Sequence, residues 1–263
     1  MDPAGNDKDL IQFLESISDR TDRDAEETAI ILAAGQGRRI KSRTSKMLHT
    51  IWGKPTVARV CQAVEEGLGP HRQIIVLGVE ARQVAETLGK KPGRIFIYQG
   101  EQLGTGHAVR IALEAQARAV PPKSIYILPG DMGLLSASTI RALKSDFGDN
   151  ACHMMLLTGS YSGDPAKNHY GRIVRVPADG DSNRDSLGTI VAIKEFKDID
   201  ALPEEQAITI HHNRNQHSFG RSELLAVSEF NTGAYVCRGP DISRLINDIQ
   251  PSPATGEYYL TDL

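Results

Sequence analysis

The run Ile30-Ile31-Leu32-Ala33-Ala34-Gly35-Gln36-Gly37-Arg38-Arg39 decides the fold of this chain. From Thr28 to Leu32 the residues are apolar and largely β-branched, the pattern of a parallel strand buried on both faces. The strand gives way to a loop with two glycines two apart, followed by two arginines. Glycine lets backbone come close to a bulky anion, and successive N–H groups can then point at phosphate oxygens. Arginine adds charge and forked donors suited to phosphate. The stretch predicts a loop around a nucleoside triphosphate at the carboxyl end of the first strand. Two other phosphate loops are excluded: Ile40 stands where G-x-G-x-x-G needs its third small residue, and no G-x-x-x-x-G-K-[ST] string occurs.

Outward from this loop the pattern alternates. Strand-like runs at Ile74–Leu77, Ile95–Tyr98, Ile125–Leu128 and Met154–Leu157 are separated by helical patterns at Val57–Leu68, Arg82–Leu88, Thr105–Ala119 and Ser138–Phe147. Strand and helix in turn imply crossovers and a mostly parallel, Rossmann-like sheet with helices on both faces. Ligands of such sheets bind outside the carboxyl ends of the strands, here the loops after Leu32, Tyr98 and Leu128. From about Tyr170 short β-prone runs, Gly171–Val176 and Thr189–Ile193, flank the turn-rich Asp179-Gly180-Asp181-Ser182-Asn183. Residues 198–222 read as polar and irregular, and Leu224–Cys237 returns to strand character. The whole is expected to be a small β-rich insertion forming a second wall of the cleft.

Composition narrows the function. The chain has 263 residues, 40% hydrophobic and 24% charged, with net charge −3, values of a globular protein with a full core. A basic nucleic-acid surface is not expected, nor a membrane span, since no apolar run reaches about 18 residues. Cys61, Cys152 and Cys237 lie far apart with no C-x-x-C, which suits buried reduced thiols and a cytoplasmic protein. Residues 1–27 stand apart as an acidic extension, with nine acidic and three basic residues and a net charge of −6, while the remainder carries +3. Leu10, Ile11, Leu14 and Ile17 recur at helical spacing there. Such a helix can pack on the domain or a neighbouring subunit, and a surface helix with a solvated linker is the plainer reading.

Single residues then suggest chemistry. Lys46, nine residues after Gly37, could reach back to phosphates as a mobile charge. In Tyr98-Gln99-Gly100-Glu101-Gln102-Leu103-Gly104-Thr105-Gly106-His107, the Gln99 amide carries the donor and acceptor that a uracil edge needs. Gly104 permits close approach to the base ahead of a helix N-terminus. Asp131, at a strand's carboxyl end after Gly130, suits a magnesium ion on a nucleotide, and equally a helix cap. Gly233 within Asn231-Thr232-Gly233 marks a bulge or close approach in a strand, and Glu195 and Asn231 are candidates for sugar hydroxyls. His211, His212 and His217 match no standard zinc spacing.

These strings resemble one family closely: Leu32-Ala33-Ala34-Gly35-x-Gly37-x-Arg39-Ile40, Lys46 with Leu48-His49, Gln99 to Ala108, Gly130-Asp131, Tyr170-Gly171-Arg172-Ile173, Asn231-Thr232-Gly233, and Gly256-Glu257-Tyr258-Tyr259-Leu260-Thr261-Asp262. In this order, from Thr28 to Leu263, they look like the uridyltransferase domain of the bacterial bifunctional N-acetylglucosamine-1-phosphate uridyltransferase/glucosamine-1-phosphate acetyltransferases. The resemblance implies the nucleotide-diphospho-sugar transferase fold over residues 28–263 and transfer of UMP from UTP to N-acetylglucosamine 1-phosphate. It implies that Leu32, Ala33, Ala34, Gly35, Arg39 and Lys46 line the phosphates. Gln99, Gly104 and Thr105 would then hold uridine, Asp131 would hold Mg²⁺, and Gly171, Glu195 and Asn231 would hold the amino sugar. It further implies that the chain is the front part of a longer protein, whose second magnesium ligand, an asparagine, lies past Leu263. A homo-oligomer fits, a trimer if an acetyltransferase domain follows. The chain departs from the family pattern at Arg38, at Gly133, in the length of the stretch around 198–222, and at Thr44-Ser45, where Leu-Pro is usual. Loss of that proline is expected to loosen the Lys46 segment. Two other functions remain open on the residues: transfer to another sugar or alcohol phosphate, and a nucleotide-sugar-binding module with little catalysis.

Overall fold

The computed structural model describes residues 3–20, 25–35, 45–116, 120–177, 188–252 and 256–263. In chain order the elements are α1 (Pro3–Ile17), β1 (Glu27–Ala33), β2 (Thr50–Ile51), β3 (Lys54–Pro55), α2 (Thr56–Leu68), β4 (Arg72–Leu77), α3 (Ala81–Leu88), β5 (Arg94–Tyr98), α4 (Thr105–Glu114), β6 (Ser124–Pro129), α5 (Ala137–Asp149) and β7 (Met154–Ser160). They continue with β8 (Arg172–Arg175), β9 (Ile190–Lys194), α6 (Phe196–Asp200), β10 (Ala207–His212), β11 (Asn215–Gly220), α7 (Arg221–Ala226), β12 (Glu229–Arg238) and α8 (Gly239–Leu245). The chain divides into two compact units, residues 1–155 with 235–263, and residues 156–234.

The first unit is the expected Rossmann-like layer structure. Its sheet runs β5-β4-β1-β6-β12, with β1 parallel to both β4 and β6, β4 parallel to β5, and β12 antiparallel to β6 through Tyr235–Arg238. Ile30, Ile31, Ile74, Ile75, Ile125, Ile127 and Leu128 are wholly buried, because helices cover both faces of a parallel sheet. Helix α2 presents Val57, Val60, Cys61 and Val64 to this core, positions spaced three and four apart along one face. Among the described residues of this unit a charged side chain, Arg94, enters the interior. Arg94 is 2% exposed and donates to Gln73 Oε1 (2.8 Å), the Leu88 carbonyl (2.6 Å) and Glu65 Oε1 (2.8 Å), so its burial is compensated.

The N-terminal segment is a packed element rather than a surface helix. Leu14 is 2% exposed, and Arg82 of α3 holds Asp9 at 2.8 Å and lies 4.3 Å over the Phe13 ring. Of the thiols, Cys61 and Cys237 are buried as expected, while Cys152 is half-buried. Burial pushes both buried thiols up to about 12.

The second unit has its own core of Val174, Ile199, Phe219 and Leu224, with Val191, Ile208 and Ile210 packed against it. Here the sequence expectation needs correcting. Residues 198–222 are ordered as the end of α6, the antiparallel hairpin β10–β11 and the start of α7, and Leu224 lies in α7 rather than in a strand. Alternation Ile208, Ile210 against Thr209, His211 carries the hairpin, but its polar members mask the period. Phe219 and the two isoleucines suffice to bury one face. The turn-rich stretch Asp179–Asn183 lies outside the described residues.

Candidate active site

The first loop is positioned by adjacent parallel strands. Leu32 and Ala33 end β1, and Ala34 is buried behind Gly35, which is exposed. Gly130 closes β6 with its N–H on the Leu32 carbonyl (2.9 Å). A Cβ on Gly130 would stand 2.9 Å from Met47 Sδ and 3.1 Å from the Leu32 oxygen, so a side chain here would have to displace the Met47 thioether and crowd the strand end. Arg39 lies outside the described residues, as do Gly37 and Arg38.

Lys46 and Asp131 meet here, although 85 residues separate them. Lys46 Nζ donates to Asp131 Oδ2 at 2.7 Å, with side chains 26% and 35% exposed. Nζ also lies 3.7 Å from where a Cβ on Gly35 would be. The turn that carries Lys46 is tied down. Ser45 is buried, its N–H donates to Glu80 Oε2 (2.6 Å), and Thr56 Oγ1 donates to the Lys46 carbonyl (2.9 Å). Thr44, the other half of the departure, lies outside the described residues. A proline could not make the Ser45–Glu80 bond, having no N–H. Glu80 was not singled out from the sequence, since nothing in Gly78-Val79-Glu80 marks it. Its left-handed backbone (φ 54°) appears only in the structure.

The second loop follows β5. Gln99 is 4% exposed, and its N–H continues the strand by donating to the Leu77 carbonyl (2.7 Å). Gln99 Nε2 donates to the Gly104 carbonyl (3.3 Å) and meets His107 Nδ1 at 3.0 Å. A carbonyl only accepts, which fixes the amide's orientation. The side-chain oxygen is the end of the amide outside these two contacts. Gly104 (φ 96°) takes a backbone that a side chain resists, and a Cβ would stand 2.5 Å from the Tyr258 carbonyl oxygen. The Glu257–Asp262 block explains why. Tyr258 N–H donates to the Leu103 carbonyl (2.8 Å), Gly106 N–H to the Tyr258 carbonyl (2.8 Å), and Leu260 N–H to Thr105 Oγ1 (3.1 Å). Arg110 stacks 4.6 Å over the Tyr258 ring. The Gln99–Ala108 and Gly256–Asp262 motifs thus form one structure, and Tyr258 and His107 are supporting residues that the sequence left without a role.

Within the second unit, Gly171, Glu195 and Asn231 come together. Asn231 N–H donates to the Gly171 carbonyl (2.9 Å), and a Cβ on Gly171 would stand 3.2 Å from Glu195 Oε1. Arg172, fully buried, donates to the carbonyls of Pro165 (2.8 Å) and Asn168 (2.6 Å) and so pins the loop before them. Burial lowers its guanidinium pKa from the ordinary value. The histidines do not converge: His211 pairs across from Gln216 and faces outward, whereas His217 faces inward opposite Ile210. Among the described residues no three His, Cys, Asp or Glu side chains gather as for a metal, and no helix is long and apolar enough to cross a membrane.

Sheet order, helix placement and loops at the carboxyl strand ends define the nucleotide-diphospho-sugar transferase type of fold. The chain belongs to the MobA-like NTP transferase domain family, whose signature spans residues 29–177. A bifunctional protein GlmU from Lactococcus lactis subsp. lactis (strain IL1403) is 35% identical over 236 residues, 89% of this chain and 43% of that protein. A protein of the same name from Ralstonia pickettii (strain 12J) is 36% identical over 234 residues, with 89% and 43% covered. The motif resemblance is borne out, and the chain spans less than half the length of these curated relatives. A solved UDP-glucose pyrophosphorylase complexed with UDP-glucose shares the fold, with a TM-score of 0.57 at 15% identity over 90% of this chain and 84% of that one.

Proposed function

We propose that this chain transfers UMP from UTP to N-acetylglucosamine 1-phosphate, forming UDP-N-acetylglucosamine and pyrophosphate in the cytoplasm, with residues 28–263 as the nucleotidyltransferase domain. The observation that carries the reading is the convergence of the Gly35 backbone, the Lys46 ammonium and the Asp131 carboxylate at the carboxyl ends of β1 and β6. A sugar-phosphate oxygen attacks the α-phosphorus, and the bond to the bridging oxygen breaks. Pyrophosphate leaves with that electron pair, and no covalent enzyme intermediate is required. Lys46 counters charge on the phosphates, and Arg39 is assigned the same role. The loop holds the triphosphate in line, so positioning and charge stabilisation supply the rate.

Mg²⁺ fits the donor set. Asp131 offers a hard oxygen, Oδ1, outside its Lys46 bond, and the carboxylate is 35% exposed. Among the described residues no further His, Cys, Asp or Glu side chains gather with it as for a metal, and phosphates and water would complete the coordination. Bound there by Asp131, the ion would neutralise charge on the phosphates. Gln99 Oε1, an acceptor, suits the N3–H of uracil and opposes the N3 lone pair of cytosine. Gly104 and Thr105 are assigned to the base, and Gly171, Glu195 and Asn231, within the second unit, to the amino sugar.

The test is pyrophosphate release from UTP with N-acetylglucosamine 1-phosphate, glucose 1-phosphate and an alcohol phosphate as acceptors. Asp131→Asn keeps size but removes charge, and near-complete loss of turnover with an unchanged circular-dichroism spectrum is expected. Ser136, not Asp131, caps α5, so wild-type turnover in that variant would leave Asp131 as the ion-pair partner of Lys46 and move the metal elsewhere. Faster turnover with another acceptor would reassign the substrate.

A further inference from the structure

Helix α1 and the two residues after it form a strap along the side of β5 that has no partner strand among the described residues. Ser18 Oγ accepts from the Phe96 N–H (3.0 Å) and donates to the Leu14 carbonyl (2.7 Å). Asp19 N–H donates to the Arg94 carbonyl (2.7 Å), and Asp19 Oδ2 accepts from the Gly93 N–H (2.8 Å). Backbone groups of an edge strand are in this way satisfied by a helix end rather than by another strand. Further along β5 the strap reaches the site: the Tyr98 hydroxyl donates to Asp7 Oδ1 at 3.4 Å. Tyr98 directly precedes Gln99, and a Cβ on Gly100 would stand 3.4 Å from Tyr98 Cε1, so the loop runs across this ring. Burial, then the Asp7 carboxylate, raise the phenol's pKa and keep it in the form that donates. The resemblance to sugar-nucleotide transferases begins at Thr28, so α1 lies outside it.

We propose that Asp7 and Tyr98 are positioning residues for the nucleotide loop: the strap fixes the edge of β5, Asp7 fixes the Tyr98 ring, and that ring sets where Gly100 and Gln99 stand. This rests on Gln99 facing the base. It predicts a cost in nucleotide affinity and none in chemistry, since neither residue touches the phosphates.

The experiment compares Asp7→Ala, Tyr98→Phe, their double variant, Asp7→Asn and Gln99→Ala in the full chain, reading kcat and KM for UTP with thermal midpoints. Asp7→Ala and Tyr98→Phe should each raise KM about three- to tenfold, the worth of one hydrogen bond. Turnover number and midpoint should stay near wild type. The double variant should be no worse than either single one, because both remove the same contact. Asp7→Asn, which keeps an acceptor oxygen, should retain most of the affinity. Unchanged KM in both single variants, or effects that multiply in the double one, would overturn the proposal. Gln99→Ala separates the two readings. If it raises KM while Asp7→Ala does not, the strap proposal fails alone. If Asp7→Ala raises KM while Gln99→Ala does not, the base assignment fails and the coupling of the strap to nucleotide stands.

Discussion

Single residues at this site are set by what their backbone must do. Gly104 is the clearest case. Its φ of 96° and the Tyr258 oxygen that would meet a Cβ at 2.5 Å both forbid a side chain. Gly104→Ala should cost about 1–3 kcal/mol from backbone strain alone. A lowered thermal midpoint together with weaker UTP binding is expected, and wild-type values of both would show that the loop relaxes freely. The sequence pointed to Gly104 for its closeness to a base. The structure adds that the same glycine admits the chain's own Tyr258. Gln99 was legible as a residue with donor and acceptor, but only packing shows that the donor is committed to Gly104 and His107. Lys46 and Asp131 were each readable as charges near phosphate, while their 2.7 Å contact was not, because no local pattern encodes an 85-residue separation.

Elements follow their periodicity where burial is strong and lose legibility where polar residues interrupt it. Strands β1, β4, β5 and β6 were placed within a residue or two from unbroken apolar runs. The hairpin β10–β11 was not, since His211, His212, Asn213, Arg214, Asn215 and Gln216 crowd its turn. In the same unit, β8 and β12 are clamped by a two-fold pairing, Arg175 Nε and Nη2 on Glu229 Oε2 and Oε1, each at 2.7 Å. These bonds from Arg175 hold the Glu229 carboxyl below its ordinary value near 4.5. A depressed carboxyl pKa adds stability that is fully present above the unfolded value and is lost as pH falls through the folded one. Acid should therefore lower the thermal midpoint below about pH 4.5, and Glu229→Gln should flatten that dependence. The effect is expected to be small because both groups are partly solvated. An identical acid limb in the variant would remove the clamp from the stability of this unit.

At the scale of the whole molecule the three thiols report on the core. Cys61 and Cys237, pushed by burial up to about 12, should resist alkylation in the native state while half-buried Cys152 reacts, and all three should react in urea. Native labelling of Cys61 would mean that α2 lifts from the sheet. The sequence by itself determined the alternation of strands and helices, the parallel sheet and the loops at its carboxyl ends. Each of these follows from local apolar periodicity and from backbone rules that act over a few residues. It also placed the chain in its family, through motifs that are short and contiguous. The tertiary structure alone decided that α1 straps β5, that Glu80 anchors the Lys46 turn, that the segment after Gly256 locks Gly104 and Thr105, and that 198–222 folds into a hairpin. Those outcomes depend on contacts between residues far apart in the chain, where the free energy comes from shared burial and hydrogen bonding that no single segment can specify.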